Sequence, residues 1–336
     1  MTLEGVLGPN GRLDEADGIS VDAPDALAIL PDGRLLYSSG SRIMAIETWA
    51  GEASVVAVLE TTITALAVSP GGQIAAGLAG GRLAVLDASG RSVEGWMLPA
   101  GRAASVVDCA FRTADELLIV DCGYAEADEI LARAAWDEEA RGQLLSLRRS
   151  GELSTRSGGL HAPMGIALDA RGEPLISLLE RACVVDASGT VRQSGFPGYL
   201  GRLRRTAGGY SLACLSRRDP LIEFLKTERG FVAEMKATIE PRHWIAPRIS
   251  PEFSHDFPIE LGATRLFGEV KPWAPSFSYG LLIETDDRLM PVASAQSRAN
   301  GRRHAVSDVA TWHGATLAIA KGSGELLKLK PEVSAS

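Results

Sequence analysis

Short apolar runs separated by glycine-containing turns recur along almost the whole chain. One unit returns again and again: an apolar strand, a tight polar turn, a second apolar strand, a Gly-containing connection and a third strand. It is clearest at Ala28–Gly40, where Leu30 leads into Pro31-Asp32-Gly33 and then into Leu35 and Leu36, followed by Arg42–Ile46. An Asp-Gly pair between two apolar runs predicts a hairpin, because glycine supplies the positive φ that a tight turn needs. The pattern returns at Ala65–Gly77 with Arg82–Leu86, and at Val107–Phe111 with Glu116–Asp121. Further copies are Gly165–Ser177 with Cys183–Asp186, Gly201–Ala213, and Ser307–Ile319 with Glu325–Leu329. Six copies predict an all-β, six-bladed β-propeller, with residues 1–336 as a single domain.

Two segments break this rhythm and are expected to be insertions. Residues 125–141 are rich in helix formers and stop before Gly142, which reads as a helix end. Residues 219–278 carry Leu221, Ile222, Phe224 and Leu225, then Phe231, Val232 and Met235, at spacings that place them on one helical face. This second insertion is expected to pack over the propeller rim, or to form a lid over the channel mouth with Trp244, Phe253 and Trp273 as its aromatics.

At 336 residues the chain is long for a single core, but radial blades share a continuous interior, so the length suits a ring of sheets. Hydrophobic residues make up 46% and charged residues 23%, which argues against extensive disorder. With 42 acidic and 34 basic residues the net charge is −8 and no basic stripe offsets it, so nucleic acid is not an expected partner. No apolar stretch reaches membrane-spanning length, and the N-terminus lacks a charged start followed by an apolar run. No membrane association is therefore expected, and a cytoplasmic location is. Cys109, Cys122, Cys183 and Cys214 lie in apolar runs without C-x-x-C spacing and read as packed thiols.

Several segments, in order along nearly the whole chain, resemble landmarks of a known group: Leu3–Asn10, Ala23–Arg34, Gly159–Leu168, Gly195–Arg205, Ser216–Leu221 and Tyr279–Ile283. Together they resemble the strictosidine synthase-like proteins, within the superfamily that includes gluconolactonases and paraoxonases. The resemblance implies a propeller whose first residues complete the blade formed by the C-terminus, and a small-molecule pocket at one end of the axis. Candidate lining positions are Asp25, Asp108, Met164, Arg202 and Ser307 from strand starts, and Asp121, Glu180, Arg217 and Lys321 from strand returns.

In the lactonase branch a calcium-type cation held by oxygen ligands would polarise the substrate carbonyl. Asp25 matches the first ligand position, but Pro163-Met164-Gly165 puts a thioether where the pattern has an amide, and Arg202 falls where further oxygen ligands belong. No metal and no other cofactor is therefore expected. Strictosidine synthases use a glutamate as acid and base; the matching position is Ser307, with Asp308 beside it on what would be the opposite strand face. The expected activity is metal-independent hydrolysis of a small lactone or ester, with carbon–nitrogen condensation or ligand binding without catalysis as alternatives. Arg202 would be an electrophilic anchor, with Asp25 and His161 as its catalytic companions. Asp108, Asp121, Met164, Glu180, Arg217 and Ser307 would contact substrate. His304, which follows Arg302-Arg303, is read as solvated.

Overall fold

The computed structural model describes residues 3–125, 130–241, 244–250 and 278–331, and the backbone of 265–266 and 269–270. It is a six-bladed β-propeller. The six innermost strands are Leu27–Ile29, Ile63–Val68, Val106–Thr113, Pro163–Leu168, Gly198–Thr206 and Val306–Trp312, which belong to blades one to six and neighbour one another around the axis. Each begins a sheet that continues outward through antiparallel partners. Blade one, for example, runs through Leu35–Ser39 and Arg42–Ile46 to Ser54–Val58. Blade two has three strands, and the Leu86↔Ser92 bridge marks the place of its fourth.

Alternation along each strand explains the packing. Side chains of period two point to opposite faces of a sheet, and in a ring both faces meet another blade. On the second strand of blade three, Leu117 and Ile119 join an apolar cluster shared with blade two, while Leu118 and Val120 join one shared with blade four. The described residues form six such clusters, one between every adjacent pair of blades. All four cysteines are free and buried, and burial pushes their thiols up, which suits packing.

The turn at Pro31-Asp32-Gly33 forms as its sequence demands: Gly33 adopts φ +91° and its N–H donates to Leu30 O. Ring closure is provided by Asp17–Ser20, which pairs with Glu325–Lys328 as the outer strand of blade six. The residues before it do something else: Gly5–Leu7 form a turn of 3-10 helix, and Asn10 hydrogen-bonds across to the outer strand of blade five at Ser294 and Gln296.

Both insertions leave from second strands and return on third strands, in blades three and five, and therefore stand at the end of the ring where the innermost strands begin. In the first, the described helix is only Ile130–Ala134. Gly142 is not a helix stop: it opens the third strand of blade three, where a Cβ would lie 2.1 Å from Pro163 Cδ, so close approach of blade four explains the glycine. In the second, Asp219 caps Pro220–Thr227 through Leu221 N–H, and Arg229–Thr238 follows. Ile222, Met235 and Ile245 enter the cluster between blades three and four, with Leu221, Leu225, Phe231, Val232 and Trp244 against it. Phe224 departs from the expected apolar face and is exposed. Trp136 Nε1 donates to Ile245 O and ties the two insertions together over blades three to five. Phe253 and Trp273 lie outside the described residues. No described helix is long and apolar enough to cross a membrane.

Candidate functional site

An innermost strand has one paired edge and one open edge, and the open edges of six strands line the channel with bare carbonyls and N–H groups. Buried, such groups need partners. Charged side chains provide them. The Arg202 guanidinium donates to Val107 O from Nε (3.2 Å) and from Nη2 (3.0 Å), to Ser307 O and Asp25 Oδ1 from Nη1 (3.1 Å each), and also to Asp25 O and Thr64 O. Main-chain oxygens at the strand starts of blades one, two, three and six thus converge on one cation. Gly165 lets the strand that carries Arg202 approach blade four, since a Cβ there would sit 2.6 Å from Arg202 Cα.

Arg204, two residues further along the same strand, forms a second tier. It meets Asp108 through Nη1 at 2.7 Å and Nη2 at 2.9 Å, and Asp308 through Nε at 2.9 Å and Nη2 at 3.0 Å. Both carboxylates are fully buried, and each also accepts from an open strand edge: Asp108 from Ile166 N–H and Asp308 from Leu27 N–H, both at 2.9 Å. Burial works against both guanidinium charges, but the carboxylates outweigh it and hold both arginines protonated. Burial likewise pulls Asp308 above the ordinary carboxylate range, with Arg204 and Arg202 opposing it.

Toward the mouth, Asp25 Oδ2 pairs with Lys321 Nζ at 3.0 Å. Burial alone would raise the Asp25 carboxyl; Lys321 and Arg202 outweigh it and hold it below the usual range, so it is ionised at neutral pH. The Lys321 side chain is 39% exposed, against 19% for Arg204, 15% for Asp25, 6% for Arg202 and none for Asp108 or Asp308, so this lysine is the hub charge most open to solvent.

The structure therefore brings Arg202, Asp25, Asp108, Ser307 and Lys321 together. Ser307 contributes its carbonyl to Arg202, and its hydroxyl donates to Asp25 O at 2.9 Å. Asp308 joins them, because a register irregularity between Val306 and Asp308 frees this strand from strict alternation. The other expected residues stand elsewhere. Asp121 accepts from Ala104, Ser105 and Gly123 N–H and from Gln143, which fixes the chain where blade three begins. Ser38 accepts from Asp25 and Ala26 N–H at the matching place in blade one. Met164 packs sideways into the cluster between blades three and four. Glu180 is bound to Lys226 of the second insertion at 2.7 Å. Arg217 lies over the Tyr279 ring, 5.2 Å from its centre.

His161 is buried beneath the first insertion, with Nε2 on Asp137 O at 2.6 Å and no hydrogen-bond partner for Nδ1 among the described residues. His304 is not solvated but fully buried, between Ser278 Oγ and Arg298 O, and burial lowers it below the ordinary histidine value. Arg204 was absent from the expected set. Its signal was present as Arg202-Leu203-Arg204, since period two puts both arginines on one face while Leu203 enters the core.

A closed ring of six sheets, with insertions from blades three and five at the end where the innermost strands begin, defines a six-bladed propeller. No protein-family profile and no curated protein matches this sequence. Solved structures match its fold. A gluconolactonase from Xanthomonas campestris is 12% identical, over 96% of this chain and 92% of that one, with a TM-score of 0.55. A calcium-binding regucalcin from Agrobacterium tumefaciens is 11% identical, over 95% and 93%, at 0.56. The PQQ-bound aldose sugar dehydrogenase of Streptomyces coelicolor is 13% identical, over 94% and 96%, at 0.57.

A calcium ion does not fit the axial residues of this chain. The oxygens that converge there are spent on a guanidinium, and among the described residues no group of three or more acidic, histidine or cysteine side chains is placed to hold a metal.

Proposed function

We propose that this protein binds a small organic carbonyl compound at the capped mouth of its channel and hydrolyses it, as a lactone or ester, without a metal. The observation that carries the reading is the Asp25–Lys321 pair, whose lysine is the hub charge most open to solvent. An ammonium at this position can polarise a substrate carbonyl and stabilise the developing oxyanion. An ionised carboxylate beside it can orient and deprotonate water. Arg202 takes a structural part in this scheme, because every N–H it aims into the channel already has an oxygen. The gluconolactonase named among the fold relatives supports the substrate class by analogy of fold alone.

The test is turnover of a panel of lactones and esters by the parent, Lys321→Ala and Asp25→Asn, each with and without a chelator. Activity that resists chelation and falls at least tenfold in Lys321→Ala is expected. Chelator-sensitive activity, or full activity in Lys321→Ala, overturns the mechanism. A second reading, ligand binding without turnover, is favoured by how completely Asp25 is engaged. It predicts that a ligand retained by the purified protein is released by Lys321→Ala while no member of the panel is consumed.

A further inference from the structure

We infer that the axis of this propeller is a cation site whose resident ion is the chain's own Arg202 side chain. The inference does not require the hydrolysis proposed at the mouth, and loss of that reading leaves it standing. The argument rests on what surrounds the guanidinium. Its partners are Asp25 O, Thr64 O, Val107 O, Ser307 O and one carboxylate oxygen, Asp25 Oδ1: a set of oxygens from four blades directed at one point. Carbonyl oxygens arranged in this way are the surroundings that proteins build for a hard cation. A planar guanidinium with five donors meets such a set without losing its charge. Because the ion is tethered through blade five, it also joins that blade to blades one, two, three and six.

A tethered ion can be exchanged for a free one. Arg202→Gly removes the side chain and leaves its oxygens, so the vacated space should accept an alkylguanidinium from solution. Arg202→Gly is expected to melt on the order of 10 °C below the parent. Ethylguanidinium chloride at millimolar concentration should restore at least half of that loss along a saturable curve, while sodium chloride and calcium chloride at equal ionic strength should not. Absence of saturable recovery, or equal recovery with either salt, overturns the inference. Should Arg202→Gly not fold, two measurements still decide. Arg202→Lys, which keeps the charge but offers fewer donors, should fold with a lowered midpoint. Calcium titrated into the parent should give no saturable heat. A calcium isotherm in the parent that Asp25→Asn abolishes, or an Arg202→Lys midpoint equal to the parent's, overturns it.

Discussion

Replacing Arg204 by leucine removes the side chain that makes the closest contacts to both fully buried carboxylates of the hub, Asp108 and Asp308, from which Arg202 Nε stands 3.7 and 3.9 Å away. The lost contacts are charge-assisted bonds of 2.7, 2.9, 2.9 and 3.0 Å. At about 1.5–3 kcal/mol for a hydrogen bond to a charged group, their gross value is roughly 6–12 kcal/mol. Much of this is offset, because the variant no longer buries a guanidinium. Breaking one side of a buried ion pair costs about 3–5 kcal/mol in practice, and we expect about 4 kcal/mol. For a chain of this length that lowers the melting midpoint by about 6 °C. The cost should also depend on pH. In the parent Asp308 is already pulled up by burial and restrained by the arginines; without Arg204 its folded-state pKa rises further above its unfolded value. A carboxyl raised in this way contributes stability that is present below its unfolded pKa and is lost as pH rises through its folded pKa. The gap between parent and Arg204→Leu, measured by urea unfolding, should therefore widen from pH 5 to pH 8. A cost below about 1 kcal/mol, or a gap that does not change over that interval, would refute the account of the hub as a set of mutually dependent charges.

Three further outcomes follow from individual contacts. His304 is held below its ordinary value by burial, so the unfolded chain takes up a proton first and stability should decline as pH falls from about 6.5; His304→Gln should flatten that decline in urea titrations between pH 7 and 5. Asp121→Ala strands three backbone N–H groups and one amide, and should cost about 2–3 kcal/mol in equilibrium unfolding. Lys226→Met frees Glu180 from the second insertion; limited proteolysis within residues 219–250 should accelerate several-fold, while global stability changes by less than about 1 kcal/mol.

The blades were legible because their signals are local. Alternation within a strand and a glycine three residues into a turn are properties of a few adjacent residues, and a ring uses both faces of every strand, so the apolar runs are dense as well as periodic. The hub was only partly legible. Arg202 and Asp25 could be placed at strand starts, and their pairing was foreseeable from charge. Asp308 could not be placed, because a register irregularity at Val306–Asp308 decides where its carboxylate goes, and no residue in that stretch announces one. Asp121 and Glu180 sit at the strand ends expected of them, yet their oxygens are used by the neighbouring backbone and by Lys226. Sequence position gives the end of the barrel on which a side chain stands, whereas its partners are set by loops that pack from elsewhere in the chain.

The charges of the hub also explain why an internal ion suits this chain better than a free divalent one. Arg202, Arg204 and Lys321 face Asp25, Asp108 and Asp308, which makes three cations and three anions. A divalent ion about 4 Å from Arg202 would be repelled by roughly 8 kcal/mol at an effective dielectric of about 20. Asp25 at a similar distance would return about the same amount. The electrostatic sum is near zero, and the cost of stripping water from the ion is left unopposed. The −8 charge of the whole protein does not alter this, since the acidic excess lies away from a charge-balanced hub. Holding a metal there would take removal of Arg202 together with new oxygen donors around the axis, so no single substitution should convert this axis into a calcium site.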